Sequence, residues 1–325
     1  MEHEMKIVAG LGEVYAYPKF INAGADELFC GFVPHMWNEK FQTHLPANRR
    51  EVLFYQVQIG TMQEMKVLKR MREKYGVPIS VTWNSLSYNQ EQLKFLGPLL
   101  EELVENGIKD FIVADLGLML YLKKRGLTCN LHISGELGGN NSELLKLLLK
   151  EVHTPDGEGP RITRWIFHRK NTWEEMEACI QVAKKQQISM EFEAFLLNEN
   201  CHFNGGFCNS MHCDEMVHLC QMPYQLVNLL ENKEIELVEK EESEQVGSSG
   251  CGLCALWKMK EIGITHLKVV GRGKSSECMK HDIETVNKAL TILGESKTET
   301  EYKEHMLKQL FPNGCSRHCY YNKAI

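Results

Sequence analysis

Short apolar runs of strand length recur along the chain, and most are followed by a segment whose apolar residues return every three to four positions. The runs Lys6–Gly10, Glu27–Phe32, Pro78–Asn84, Asp110–Asp115, Asn130–Glu136, Arg164–Arg169, Met190–Leu197 and His266–Arg272 read as strands. Amphipathic segments Gln63–Lys74, Gln90–Glu105, Ser142–Glu151 and Trp173–Lys185 lie between them. In Gln90–Glu105, Leu93, Leu96, Leu100 and Leu103 share one helical face, and Leu99 widens it. Apolar strands alternating with helices form parallel sheets covered by those helices. Eight such units predict a closed (β/α)8 TIM-like barrel, with an open doubly wound sheet as the alternative.

Polar residues punctuate the predicted strands. Cys30, Asn84, Asp115, His132, Glu136, Arg169 and Glu193 lie in or at the ends of strands, mostly toward the C-terminal end. A barrel gathers such positions into one mouth, where its active sites form. Each alone reads as well as an ordinary strand-to-loop residue; the convergence is the stronger signal.

The seventh and eighth strands stand too far apart for a standard crossover, from Asn198 to Thr265. An inserted element over the mouth is expected there. Gly247-Ser248-Ser249-Gly250 reads as a turn delivering Cys251. The expected organisation is a barrel over residues 1–295, including an insertion at 198–265, and a tail at 296–325 carrying Cys315 and Cys319. One further helix, about Asp282–Gly294, is expected after the eighth strand.

Composition narrows the function classes. A net charge of −6 gives no general attraction to polyanions, so a large nucleic-acid surface is not indicated. No apolar run reaches the length of a membrane span. Met1-Glu2-His3-Glu4-Met5-Lys6 lacks the pattern of a secretory signal, so a cytoplasmic, reducing compartment is expected. There the 12 cysteines are mostly thiols rather than disulfides.

The cysteines concentrate where the strand–helix pattern fails. Cys201, Cys208, Cys213, Cys220, Cys251 and Cys254 fall in the insertion, interleaved with His202, His212 and His218. Cys251-Gly252-Leu253-Cys254 has zinc-like spacing, but a second tight pair is absent from the insertion. Dispersed thiols from separate loops suit an iron–sulfur cube. By spacing alone iron–sulfur, zinc and buried structural thiols all remain open. Cys315-Ser316-Arg317-His318-Cys319 reads equally as an extra metal site, a redox pair or an ordinary tail.

Several motifs in the right order resemble the U32 family, historically called collagenase-like peptidases, from about Lys6 to Arg272. Ala23-Gly24-Ala25-Asp26-Glu27-Leu28-Phe29 resembles the family's early AGAD strand, Val81-Thr82-Trp83-Asn84 its VTxN strand and Val113-Ala114-Asp115-Leu116-Gly117 its DLG turn. His132, Ser134, Asn141 and Ser142 resemble its HxSxQ…NS segment, with Glu136 where Gln is usual. Arg169 resembles its RELS strand end, and Glu193-Ala194-Phe195 opens its signature. Gly206-Phe207-Cys208 resembles its GRC element, and Leu267-Lys268-Val269-Val270-Gly271-Arg272 its closing LKIEGR. The early APAGN is replaced by Val8-Ala9-Gly10-Leu11-Gly12, Asn198 replaces a signature glycine and Val270 replaces the closing Glu. The chain is thus a divergent member, and substrate does not transfer.

The resemblance implies a [4Fe-4S] cluster, as in members that hydroxylate ubiquinone precursors or RNA bases without dioxygen. Matching positions are Cys201, Cys208, Cys220 and Cys251, with Cys213 and Cys254 as alternatives. It also implies prephenate, or a similar organic acid, as hydroxyl donor. Arg169, Arg272 and Lys268 would then hold carboxylates and Glu193 or Glu136 would move protons. The substrate would be a small molecule, an RNA base or a peptide, and a heterodimer with a related U32 chain is one expected assembly. A peptidase and a non-catalytic iron–sulfur partner subunit are the alternatives. For the peptidase, the sequence holds no His-Glu-x-x-His helix and no Gly-x-Ser-x-Gly elbow.

Overall fold

In the computed structural model, which describes residues 4–42, 45–49, 58–138, 141–198 and 246–321, eight parallel strands follow one another in sequence order. They are β1 (Lys6–Leu11), β2 (Glu27–Gly31), β3 (Ile79–Trp83), β4 (Asp110–Val113), β5 (Asn130–Ile133), β6 (Arg161–Ile166), β7 (Glu191–Leu197) and β8 (His266–Val269). β8 pairs back onto β1, with Lys6 opposite His266 and Ala9 opposite Val269, so the barrel is closed and the open-sheet alternative is excluded. The described helices are α1 (Tyr17–Asn22), α2 (His35–Phe41), α3 (Met62–Tyr75), α4 (Gln90–Glu105), α5 (Leu116–Arg125), α6 (Ser142–Glu151), α7 (Trp173–Lys185), α8 (Leu256–Ile262), α9 (Ser276–Glu295) and α10 (Glu299–Leu310). No described helix is long and apolar enough to cross a membrane.

Local chemistry sets the helix starts. Thr61 with Glu64, Asn89 with Gln92, and Thr172 with Glu175 form reciprocal capping boxes at α3, α4 and α7. Asp115 caps α5 by accepting from the N–H groups of Gly117 and Leu118, both at 3.0 Å. These caps stand at the C-terminal ends of the strands, where each chain segment turns back. Several predicted strands end early for the same reason. β5 stops at Ile133 because Ser134 accepts from the Glu136 N–H and opens a 3-10 turn at Gly135–Leu137.

Two expectations about the C-terminal half are corrected. The last stretch of the anticipated insertion, Leu256–Ile262, is the ordinary crossover helix α8 between β7 and β8. Residues 199–245 lie outside the described residues. The helix expected at about Asp282–Gly294 begins at Ser276, capped by Ser275, and a further helix, α10, occupies the tail. Tyr302 and Met306 of α10, four residues apart, are both fully buried, a one-sided pattern too short and too charged to stand out in sequence.

The barrel interior is layered. Glu27, Arg164, Glu193 and Lys268 form one inward-facing level, and two residues onward along the same strands come Phe29, Ile166, Phe195 and Val270. Arg164 reaches Glu27 at 2.7 Å, Glu191 at 2.6 Å and Glu193 at 3.0 Å. Lys268 reaches Glu193 at 2.6 Å and lies 3.9 Å from the centre of the Phe29 ring. His266 meets Glu27 at 3.1 Å. Burial alone would raise the Glu27 carboxyl, but the His266 hydrogen bond and the Arg164 charge bring it down to about 2. Burial likewise opposes Lys268 and Arg164 at Glu193, and the two cations hold that carboxyl at about 2. His132, beside Ser80, is driven well below its ordinary value by burial and by the Arg164 charge.

This layer makes stability depend on acidity. Glu27 and Glu193 have folded values below their ordinary 4.5, so their contribution is complete above that pH and is lost as pH falls toward about 2. His132 stays neutral in the fold, so protonation of the unfolded chain below its ordinary 6.5 also favours unfolding. Denaturant unfolding should therefore show stability declining below pH 6.5 and more steeply below pH 4.5. Arg164→Met, which removes the one guanidinium shared by Glu27, Glu191 and Glu193, should cost about 3–5 kcal/mol in the same measurement.

Candidate active site at the barrel mouth

Beyond the apolar level the interior turns polar again, and the C-terminal mouth is lined by long side chains. Arg272 follows β8 and leans across the mouth toward β2 and β3. Its guanidinium donates to Gln58 Oε1 and Thr82 Oγ1, both at 3.1 Å, and to Asn48 Oδ1 at 3.3 Å. Two glycines make room for it. A Cβ on Gly31 would stand 2.2 Å from Arg272 Nη1, and one on Gly10 would stand 3.1 Å from its Cγ.

Arg169, just past β6, lies 3.8 Å from the centre of the Phe195 ring and 3.4 Å from Glu136 Oε1. Glu136 also faces Arg49 at 4.0 Å, and the Arg49 backbone N–H donates to Asn84 Oδ1 at 3.1 Å. Arg169 and Arg272 are both buried. Among the described residues, Arg49, Arg169, Arg272 and Glu136 stand at the same rim.

The seven polar strand-end positions separate once the chain is folded. Asn84, Glu136 and Arg169 reach the mouth. Asp115 is spent as the cap of α5. Cys30 faces outward into the core between strands and helices, where burial pushes its thiol up to about 12. His132 and Glu193 point into the lower barrel. Of the five residues expected to carry chemistry, Glu136, Arg169 and Arg272 gather at the mouth, whereas Glu193 and Lys268 face each other in the interior layer. Asn48, Arg49 and Gln58 were not foreseen, because they stand in a connection without periodicity.

Of the expected cluster ligands, Cys201, Cys208 and Cys220, with the alternative Cys213, lie outside the described residues. Cys251 is described and half-buried, and it stands at the mouth, bridged antiparallel to Leu197 at the end of β7. Its near neighbours are other thiols. Cys251 is bridged in parallel to Cys319, with its N–H donating to the His318 carbonyl at 2.8 Å and its own carbonyl accepting from the Tyr320 N–H at 2.9 Å. Burial pushes the Cys251 thiol up to about 12, and Cys254, Cys319 and Cys315 are close enough to add to the rise.

The tail continues from Cys319 into the barrel. Tyr320 joins the inner apolar group with Val8, Phe29 and Phe195 and donates its hydroxyl to the Asn198 carbonyl. Tyr321 donates to the Phe195 carbonyl at 2.7 Å and packs on Trp173. The two tyrosines and Arg169 thus meet at Phe195, on the inner wall of the mouth. One other ligand-like trio occurs among the described residues, Glu27, Glu191 and His266. Arg164 already bridges its two carboxylates, which makes it an ion-pair cluster.

No curated protein matches this sequence. Among solved structures, the U32 peptidase Mk0906 resembles it with a TM-score of 0.46 and 11% identity, covering 84% of this chain and 95% of that one. A protein described as a dihydrodipicolinate synthetase from Pseudomonas aeruginosa has a TM-score of 0.45 and 8% identity, covering 95% of this chain and 82% of that one. Likenesses this distant say nothing of activity. The sequence model of peptidase family U32 matches residues 12–324, nearly the whole length, and on that match this chain belongs to the U32 family.

Proposed function

We propose that this chain is an iron–sulfur enzyme of the U32 family that carries out oxygen-independent hydroxylation, or a related redox group transfer, at the C-terminal mouth of its barrel. The observation that supports this reading is the rim, where Arg169 and Arg49 face the Glu136 carboxylate and Arg272 is held by Gln58, Thr82 and Asn48. Guanidinium groups gathered at one rim present donors suited to an anionic ligand. An organic acid of the prephenate type, as hydroxyl donor, supplies that anion, and paired guanidinium donors match its carboxylates.

Each residue at the mouth then has a separate task. Arg272, fixed by Thr82, Gln58 and Asn48, presents its charge from the β8 side, and Arg169, flat on Phe195, presents its charge from the β6 side. Glu136, between two guanidiniums, is the carboxylate placed to take or return a proton. Glu193 and Lys268, locked together below, set the field of the barrel. Tyr320 and Tyr321 keep bulk water from the inner wall. The cluster, when bound through Cys201, Cys208, Cys220 and Cys251, supplies one-electron chemistry beside this pocket. The acceptor is a small molecule, an RNA base or a peptide, and a related U32 chain as partner belongs to the same reading.

Peptide hydrolysis, favoured by the family's own description, is the second reading. Hydrolysis by metal-free protein that thiol alkylation stops would establish it instead.

Anaerobically purified protein should carry about four irons and a broad visible absorption that air bleaches. Cys201→Ala or Cys208→Ala should abolish that absorption. Cys129→Ala and Cys179→Ala, at buried positions beside β5 and in α7, should leave it intact. Colourless protein without iron would overturn the proposal.

At the rim, Arg169→Met and Arg272→Met should each weaken donor binding about 10- to 100-fold, the loss of a charge-assisted contact. Gly31→Ala should mimic Arg272→Met, because its Cβ would stand 1.5 Å from Gln58 Oε1 and 2.2 Å from Arg272 Nη1. Titration of the donor into each variant, with circular dichroism to confirm the fold, checks both.

A further inference from the structure

We infer that Asn198 is a positioning residue: its side chain clamps both flanks of Arg272 and so holds that guanidinium at the barrel mouth. The inference rests on the reading of Arg272 as an anion-binding residue given above.

Asn198 directly follows β7 and is fully buried, and its backbone lies in the left-handed region at φ 70°. Asparagine is among the few residues besides glycine that enter that region readily. From there the side chain reaches α9 and the end of β8. Its amide nitrogen donates to the Asp282 carboxylate of α9 at 2.8 Å and to the Val270 carbonyl at 3.0 Å. Its amide oxygen accepts from Lys274 Nζ at 2.8 Å. Two acceptors on one side and a cationic donor on the other fix which way the amide faces. Lys274 also lies 3.4 Å from Asp282, so amide, ammonium and carboxylate close on one another.

Val270 and Lys274 stand two residues before and two after Arg272. Between them the chain makes a tight turn, in which the Gly271 carbonyl accepts from the Lys274 N–H at 2.9 Å. Gly271 is at φ 137°, and a Cβ there would stand 2.6 Å from Met279 Sδ. A turn built with Gly271 and Gly273 has little stiffness of its own. The Asn198 side chain supplies it, gripping one flank through a carbonyl and the other through an ammonium. The far end of Arg272 is held by Thr82, Gln58 and Asn48, so the residue is tied at both ends. A charge held in place beforehand spares its ligand the cost of ordering it.

The backbone of Asn198 has a separate task. Its N–H donates to the Gly250 carbonyl at 2.8 Å, beside Cys251, and its carbonyl accepts from the Tyr320 hydroxyl. Substitution separates the two roles. Asn198→Gly permits the same left-handed backbone and its main-chain bonds, and removes only the clamp.

The test is arginine modification by phenylglyoxal, located by peptide mass mapping in the full chain purified without oxygen, joined to titration with prephenate. In wild type Arg272 should react far more slowly than the exposed Arg161. In Asn198→Gly and in Lys274→Met, Arg272 should react at least several-fold faster, while the buried Arg164 stays protected and the circular dichroism spectrum stays native. Prephenate should bind Asn198→Gly about 10-fold more weakly, the lower end of the loss expected for Arg272→Met. If Asn198→Gly does not fold, Lys274→Met alone decides. Arg272 that reacts in wild type as fast as Arg161, or that stays as slow in the folded variants as in wild type, would overturn the inference. So would Arg164 becoming reactive together with Arg272, since the loss would then be of the whole fold. The modification needs neither iron nor donor. Wild type without iron and without affinity for prephenate would defeat the proposed function, while selective release of Arg272 would leave the clamp standing. Unchanged Arg272 in variants of an iron-loaded protein would do the reverse.

Discussion

Closing eight parallel strands forces eight columns of side chains into one interior, and this chain fills the lower part of that space with charge. Arg164 is the centre of the arrangement, because it touches Glu27, Glu191 and Glu193 from three directions while Lys268 meets Glu193 from a fourth. Charges taken out of water gain little net stability from pairing, but an unpaired one is expensive. The set is therefore all or none, and it fixes which strands may stand opposite one another. A slipped register would leave a carboxylate facing Phe29 or Ile166 instead of a guanidinium.

That layer also decides where chemistry can sit. An active site needs charged groups free to meet a ligand, and the lower charges are already engaged with each other. The apolar level of Val8, Phe29, Ile112, Ile166, Phe195 and Val270 then separates them from the mouth. Above it, Arg169 rests on Phe195 and Arg272 fits over Gly31, so the apolar level doubles as the floor of the site. The same side chains thus shield one set of charges and aim another.

The cover of the mouth is supplied by the chain end. Tyr320 and Tyr321 reach the inner wall of the barrel, where Tyr320 joins the apolar group that includes Val8 of β1. The contacts that hold the tail include a parallel bridge, the Ser316 and His318 bonds, the tyrosine hydroxyls and the packing of Tyr321 on Trp173.

The pattern of apolar positions determined the barrel. The strands are buried over most of their length, so apolar residues dominate them even where a charge is built in, and helices such as Gln90–Glu105 carry a complete local face. α10 escaped notice because its buried face rests on Tyr302 and Met306, whose partners lie elsewhere in the chain. Strand-end polarity was only half legible. A polar residue at a strand end can cap a helix, as Asp115 does, or enter the site, as Arg169 does, and local sequence does not distinguish them. The division of Glu193 and Lys268 from Glu136 and Arg272 followed from height along the barrel, since the first two lie within the strands and the others lie beyond the strand ends. The nearness of Cys251 to Cys319 arose in the same way, because contacts made across a barrel mouth depend on how distant segments meet.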